Sequence, residues 1–376
     1  MQLPEDQYFA YAIPAILCFI VGLHINAGNL KGEILNVEAI KLFTKNKMKL
    51  PYTLIVIGFF GSVASSFVSS ELSFVFYLFG SAKFIGVFLL ILGSKNIKPL
   101  PLVIVYGSII VSSLGEGMFH DLITWIIFLG SVYAIKYKPS IAFKSLFVIL
   151  FILMVVSIQL IKGTFRDEIN GNIQESGMDA LNKAYQENTK RQSFFNFNSL
   201  ATSNVRINQG FIITNIMNMV PRKVPYSDGA EMMQIINAAI LPRFLSPNKL
   251  SAGDLTIFIK YTGLIVREGT SMGISSLGDA YLNFGAMGGS IFMFLLGLLY
   301  SQVLNVFYKN SKTFPILLLF CPLVFYYPIR PDCELQTILG HLVKSCILIY
   351  VMLVVWRSYF KNADRVYHNR MVSSGV

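Results

Sequence analysis

Nine apolar runs alternate with polar connections along the chain, at residues 8–24, 52–68, 72–93, 99–115, 118–135, 142–161, 285–306, 314–328 and 338–356. A bilayer-crossing helix takes roughly 17–25 mostly apolar residues. The pattern therefore predicts an all-α, polytopic membrane bundle of about nine spans. It divides into six spans over 1–161, a long loop over 162–284, and three spans with a basic tail over 285–376. Within the loop, Gly210–Val220 and Met232–Leu241 are apolar with helix-like patterning but too short to cross. Such segments lie at the membrane interface or in a protein-lined cavity.

Charge orients the bundle. Lysines cluster in alternate connections: Lys31, Lys41, Lys45, Lys47 and Lys49, then Lys95 and Lys98, then Lys136, Lys138 and Lys144, then Lys309 and Lys312. The tail adds Arg357, Lys361, Arg365 and Arg370. The short connections between them hold Glu116, Asp121, Asp332 and Glu334, with Arg330 the one strong base. Positive charge collects on the cytoplasmic side. The tail is thus expected in the cytoplasm, and the 162–284 loop and the N-terminus outside. With Glu5 and Asp6 at its start and no positive n-region, the first run is expected to be an uncleaved span.

Composition agrees with this class. Hydrophobic residues make up 54% and charged residues 14% of the 376, and the mean hydropathy is +0.59. A soluble domain carries about 25% charged residues. The net charge of +11 does not point to nucleic acid, because the bases are scattered between apolar runs. Cys18, Cys321 and Cys346 sit in apolar runs and read as small buried hydrophobes; Cys333 sits in a polar connection. No Cys/His spacing resembles a zinc site, so neither metal nor cofactor is implied.

The chemistry concentrates between Arg206 and Gly289. Arg206 stands in RINQG, Arg222 and Lys223 in VPRKVP, and Arg243 and Lys249 in LPRFLSPNK. Pro221 and Pro242 each precede an arginine and break the local helix. Guanidinium forks at a membrane surface suit a phosphate or pyrophosphate headgroup; the alternative is contact with anionic lipid or nearby carboxylates. Next comes GTSMGISSLGDAYLNFGAMGG, with Asp279, Tyr281 and Asn283 at the mouth of a span. These three serve either a ligand or the start of the helix, where Asp and Asn cap well. Lys83, within a span, and His341 with Lys344, three residues apart, either line a cavity or are partnered structural charges.

The order Arg206, VPRK, Gly229, LPR, PNK, GTS and GDAYLNFG resembles the O-antigen polymerases, the Wzy-type polymerases of oligosaccharide repeat units. The likeness covers roughly residues 206–289. It implies a bacterial inner-membrane glycosyltransferase that builds an O-antigen- or capsule-type polysaccharide. A glycan would pass from undecaprenyl pyrophosphate to a lipid-linked repeat unit on the outer face, and a chain-length regulator is a possible partner. By the same resemblance Arg206, Arg222 and Arg243 hold the pyrophosphate, Lys249 belongs to the PNK motif, and Asp279, Tyr281 and Asn283 form the acidic-Tyr-Asn signature. Asp279 would orient or deprotonate the acceptor hydroxyl, with Glu231 and His341 as rivals. That family more often has Glu at the position of Asp279, and commonly has more spans. A ligase-like transferase, a flippase for the same lipid-linked glycan and a non-enzymatic scaffold are the competing functions.

Overall fold

The computed structural model describes residues 3–30, 35–68, 70–94, 99–116, 119–171, 210–241, 250, 253–265 and 273–361. Among them every regular element is helical. Five helices, taken by length and composition, are apolar enough to cross a membrane: Glu5–Asn29, Ser73–Gly93, Ile141–Ile158, Ser275–Ser311 and Leu335–Val355. The chain forms two compact units, one of Met1–Ala39 with Asn208–Val376 and one of Ile40–Ile207.

In the second unit, α2 (Val37–Asn46, entering from the first) is followed by α3 (Leu50–Ala64), α4 (Ser70–Gly80) and α5 (Ala82–Gly93). The apolar run at 72–93 bends at Ser81, whose amide bonds back to both Tyr77 and Leu78 at 3.2 Å. Helices α3 and α5 meet through glycines. A Cβ on Gly58 would strike the Lys83 backbone, and one on Gly86 the Pro51 carbonyl. This close approach buries most of α5. Lys83 is a partnered structural charge: its Nζ donates to Ser62 Oγ at 3.0 Å and lies over the Phe59 and Phe84 rings. Helices α6 (Pro99–Glu116) and α7 (His120–Tyr137) complete the packed part, with Trp125 stacked on Phe84 at 3.8 Å. Then α8 runs from Ile141 to Gly171, ten residues past the predicted end of its run.

The first unit is built on α1 (Glu5–His24) lying along a 37-residue helix, Ser275–Ser311. Between α8 and that helix come α9 (Gly210–Met219), α10 (Ala230–Ile240) and α11 (Leu255–Thr262), so the long helix is α12. The two short apolar segments predicted in the loop are α9 and α10. The span expected from residue 285 begins ten residues earlier, and Gly285 (φ 67°, ψ −167°) kinks it. Only glycine adopts such a conformation without strain. Helix α1 crosses α12 at backbone distance. A Cβ on Gly22 would fall onto the Phe294 carbonyl, and one on Gly297 onto the Phe19 carbonyl. Small residues are what allow apolar helices to pack this closely.

The run at 314–328, expected as a span, does not form a single continuous helix, though it leads from the end of α12 back to its start, where Asp332 meets Gly273. It holds a 3-10 turn, Leu317–Phe320, and a single helical turn, α13 (Cys321–Val324). Pro315, Pro322 and Pro328 explain the break, because each lacks an amide and clashes with the preceding turn. Helix α14 (Leu335–Val355) follows, and α15 (Arg357–Lys361) ends the described chain.

Replacing Gly297 by Leu is expected to force α1 and α12 apart and cost about 1–3 kcal/mol. Thermal unfolding of the purified protein reads this as a lowered Tm. Gly107→Ala, where a Cβ meets nothing within 4 Å, is the control expected to leave Tm unchanged or raised.

Candidate functional site

The motif GDAYLNFG occupies the first turns of α12, up to the Gly285 kink. Asp279 and Asn283 are four residues apart and so share one helix face. Both are buried, and both turn their oxygens onto the start of another helix. Asp279 Oδ2 accepts the Leu335 amide at 2.9 Å. Asn283 Oδ1 accepts the Met232 amide at 3.0 Å, while its Nδ2 donates to the Asp279 carbonyl at 2.8 Å. The first four amides of a helix have no partner inside it. Asp279 thus serves α14 and Asn283 serves α10 from outside their own chain segments. Glu334, the residue before α14, cannot take that role because it is engaged elsewhere. Its Oε1 accepts the Gly253 amide at 2.7 Å and the Thr337 hydroxyl at 3.0 Å. Burial raises the Glu334 pKa, and the Gly253 amide and the Thr337 hydroxyl work against that rise.

Tyr281 lies two residues from either of these and packs among aromatic rings. Its centroid is 5.0 Å from Tyr11 and 6.0 Å from Tyr226. The Tyr11 hydroxyl donates to the Leu277 carbonyl at 2.7 Å, and the Tyr226 ring fills the space where a Gly285 side chain would stand. Arg222 follows the end of α9, on the exposed turn that Pro221 begins. Its Nη1 donates to Asn218 Oδ1 at 3.4 Å. Of the predicted site residues, Asp279 and Asn283 are brought together. Arg206, Arg243 and Lys249 lie outside the described residues.

Glu231, in the first turn of α10, is the hub of a second cluster. Its Oε1 accepts Lys260 Nζ at 2.9 Å and the Tyr261 hydroxyl at 3.0 Å. Its amide donates to Ser227 Oγ at 2.8 Å. The carboxylate side chain is 11% exposed and the lysine 49%. Hydrogen bonds with Tyr261 and Glu231 raise the Lys260 pKa, against a smaller opposing effect of burial. His341 stands apart from this cluster. Its Nε2 donates to the Leu323 carbonyl at 2.7 Å, and its ring meets Tyr327 edge-on at 4.9 Å. It braces the broken 314–328 segment against α14.

A cavity of about 310 Å³ opens beside the start of α12. Ile16 and Phe19 of α1 and Met293 and Leu296 of α12 give it apolar walls, Ser275 gives it a polar spot, and Arg330 stands on its border. Arg330 is held by Asp332 through two bonds, at 2.9 and 3.3 Å, and lies over the Tyr327 ring. Among the described residues no group of three His, Cys, Asp or Glu is placed to hold a metal ion.

The chain belongs to the DUF8712 family, described as a domain of unknown function. The family profile matches residues 11–357 and so spans both compact units. No curated protein and no solved structure matches the chain.

Sequence reasoning missed Tyr11, Tyr226, Lys260 and Tyr261. One local signal pointed to the last two. Asp254 caps α11, accepting the Thr256 amide at 2.8 Å, and Gly263 closes it at φ 66°. An Asp start and a Gly stop around an eight-residue apolar segment mark a helix, and this helix carries Lys260 and Tyr261.

Two substitutions test the Glu231 hub. Lys260→Ala is expected to change stability by less than about 1 kcal/mol, as for an exposed ion pair. Glu231→Ala leaves the buried Tyr261 hydroxyl unmet and should cost about 1–3 kcal/mol. A group whose pKa is raised on folding stabilises fully below its unfolded value, about 10.4 for lysine, and loses that effect as pH rises through the folded one. The Lys260 contribution should therefore be flat from neutral pH to about pH 9 and vanish in strong alkali. Denaturant titration across pH checks both.

Proposed function

We propose that this member of the DUF8712 family is an integral-membrane glycosyltransferase that polymerises lipid-linked oligosaccharide repeat units. The observation that carries the proposal is the apolar cavity beside the motif helix, with the Arg330 guanidinium on its border. A mostly apolar cleft with few polar groups suits an amphipathic ligand, here a polyprenyl chain with an anionic headgroup. The order of motifs from Arg206 to Gly289 supports the same reading. In the reaction the acceptor hydroxyl oxygen bonds to the donor's anomeric carbon. The bond from that carbon to the pyrophosphate oxygen breaks, and its electron pair leaves on the polyprenyl pyrophosphate. Arginines aimed at that developing charge lower the barrier; one such donor is worth about 3 kcal/mol. Arg222, on an exposed turn, is free of any carboxylate among the described ion pairs and is the principal candidate.

The acceptor proton passes to a carboxylate, for which Glu231 is the candidate. Burial and the bond to Leu335 favour Asp279 as a positioning residue that holds α14 against the motif helix. Tyr281 and Tyr226, with ring centroids 6.0 Å apart, then offer an aromatic surface. The loop over 162–284 faces outward in this reading, and the tail from Arg357 is cytoplasmic.

Arg222→Ala and Arg243→Ala are each expected to abolish glycan laddering at normal protein levels, with lysine rescuing in part because an ammonium lacks the bidentate fork. A purified-protein assay with a pyrophosphate-linked repeat unit reads a ladder as polymerase, a single transfer as ligase and no bond formation as neither. Glu231→Gln should lower turnover by about 100-fold or more, the low end for a lost general base. Asp279→Asn keeps an acceptor for Leu335 and should leave the ladder within about tenfold of wild type, since asparagine caps as well as aspartate. A loss beyond 100-fold would return Asp279 to the role of base. Position 185 changed to Cys should react with a membrane-impermeant thiol reagent on intact cells. Reaction only after lysis would refute the outward loop.

A further inference from the structure

The second unit holds a cavity of about 570 Å³ between α7 and α8. Its size falls within the usual range for a bound small molecule, about 300–1,000 Å³. The α7 side is lined by Ile126, Leu129 and Gly130, and the α8 side by Phe143, Phe147 and Phe151. The Phe147 ring lies 3.1 Å from where a Gly130 Cβ would stand, so a glycine sets the depth of the groove. Lys144, exposed in the first turn of α8, is the charged residue of the lining. Lys136, near by in sequence, is taken up by the Ile91 and Ser94 carbonyls at the end of α5.

We propose that this groove holds one phospholipid with an anionic headgroup, its acyl chains between α7 and α8 and its phosphate at Lys144. The chain itself leaves the wall open: none of the Ile141–Ile158 window of α8 is buried. A protein helix is a poor fit, because close helix pairing favours small residues at the contact. Here α8 presents phenylalanines at 143, 147 and 151, spaced by one turn along one face. Flexible acyl chains fill an irregular aromatic wall of this kind. The charge at one end selects the headgroup, since basic pockets between membrane helices take anionic lipid. Tyr133 lines the groove and packs against Tyr137 with the rings tilted and 4.6 Å apart, which suits the aromatic belt at the headgroup level. This site lies in the unit without the GDAYLNFG motif, and the proposal is independent of any glycosyltransferase activity.

Native mass spectrometry of the full-length chain, released from detergent with equal amounts of phosphatidylglycerol and phosphatidylcholine of the same acyl chains, tests it. Wild type should retain the glycerol lipid about fivefold over the choline lipid, the weight of one lysine at an anionic headgroup. Lys144→Gln should bind both lipids about equally, and Ser131→Trp, at an exposed position of the groove lining, should bind neither. Equal retention by wild type, an undiminished preference in Lys144→Gln, or unchanged binding in Ser131→Trp would each overturn the proposal. A dimer that Ser131→Trp converts to monomer would overturn it too, by placing a second copy in the groove.

Discussion

The first unit depends on two backbones passing each other with no side chain between them. Gly22 and Gly297 each face the carbonyl of a phenylalanine on the other helix, and no larger residue fits at either place. In a lipid-facing chain the hydrophobic effect does not press helices together, so close van der Waals approach has to do so. The same contact sets the depth of the motif helix. Tyr11 of α1, three turns before Gly22, reaches the Leu277 carbonyl and packs on Tyr281. The α1–α12 crossing is thus what holds the GDAYLNFG segment in place.

From that helix the rest of the unit is organised by buried acceptors. Asp279 and Asn283 supply oxygens to the first turns of α14 and α10, whose amides would otherwise be buried without partners. An unmet buried donor costs about 1–3 kcal/mol, and the residues that precede the two helices, Glu334 and Gly229, make no side-chain bond to those amides. Two residues at one helical spacing therefore tie three helices together. The motif that looked most like chemistry is also a structural joint. This explains why the polar residues of DAYLN stand where a span would ordinarily carry apolar ones. Around that joint, Arg222 and Lys260 are exposed, while Glu231 and Tyr261 are buried.

Much of the helix inventory was legible in the sequence. Apolar runs of span length gave α1, α6, α7, α8, α12 and α14, and the two short apolar stretches in the loop gave α9 and α10. Errors arose at breaks and ends. Ser81 bends one run without removing its span, Ser73–Gly93; prolines break another into short turns; and α12 took in ten motif residues that look too polar for a span. Those residues are helical because Asp279 and Asn283 find partners in the folded chain, and hydropathy takes no account of partners. The site was legible as a set of residue types but not as an arrangement. Lys83 showed itself as a charge in a span, yet whether it lined a cavity or was held in place depended on Ser62 and two rings.

By itself the sequence determined the all-helical class, the positions of the long apolar helices and the break that Pro221 marks after α9. These follow from hydropathy and backbone chemistry over a few neighbouring residues. Only the tertiary structure decided what Asp279, Asn283, Glu231 and His341 touch. Their partners lie 56, 51, 30 and 18 residues away, beyond the reach of any local pattern. A carboxylate that binds a distant amide and one that faces a substrate have the same neighbours in sequence. What separates them is the packing of α1 against α12, which brings the motif helix up to the starts of α10 and α14.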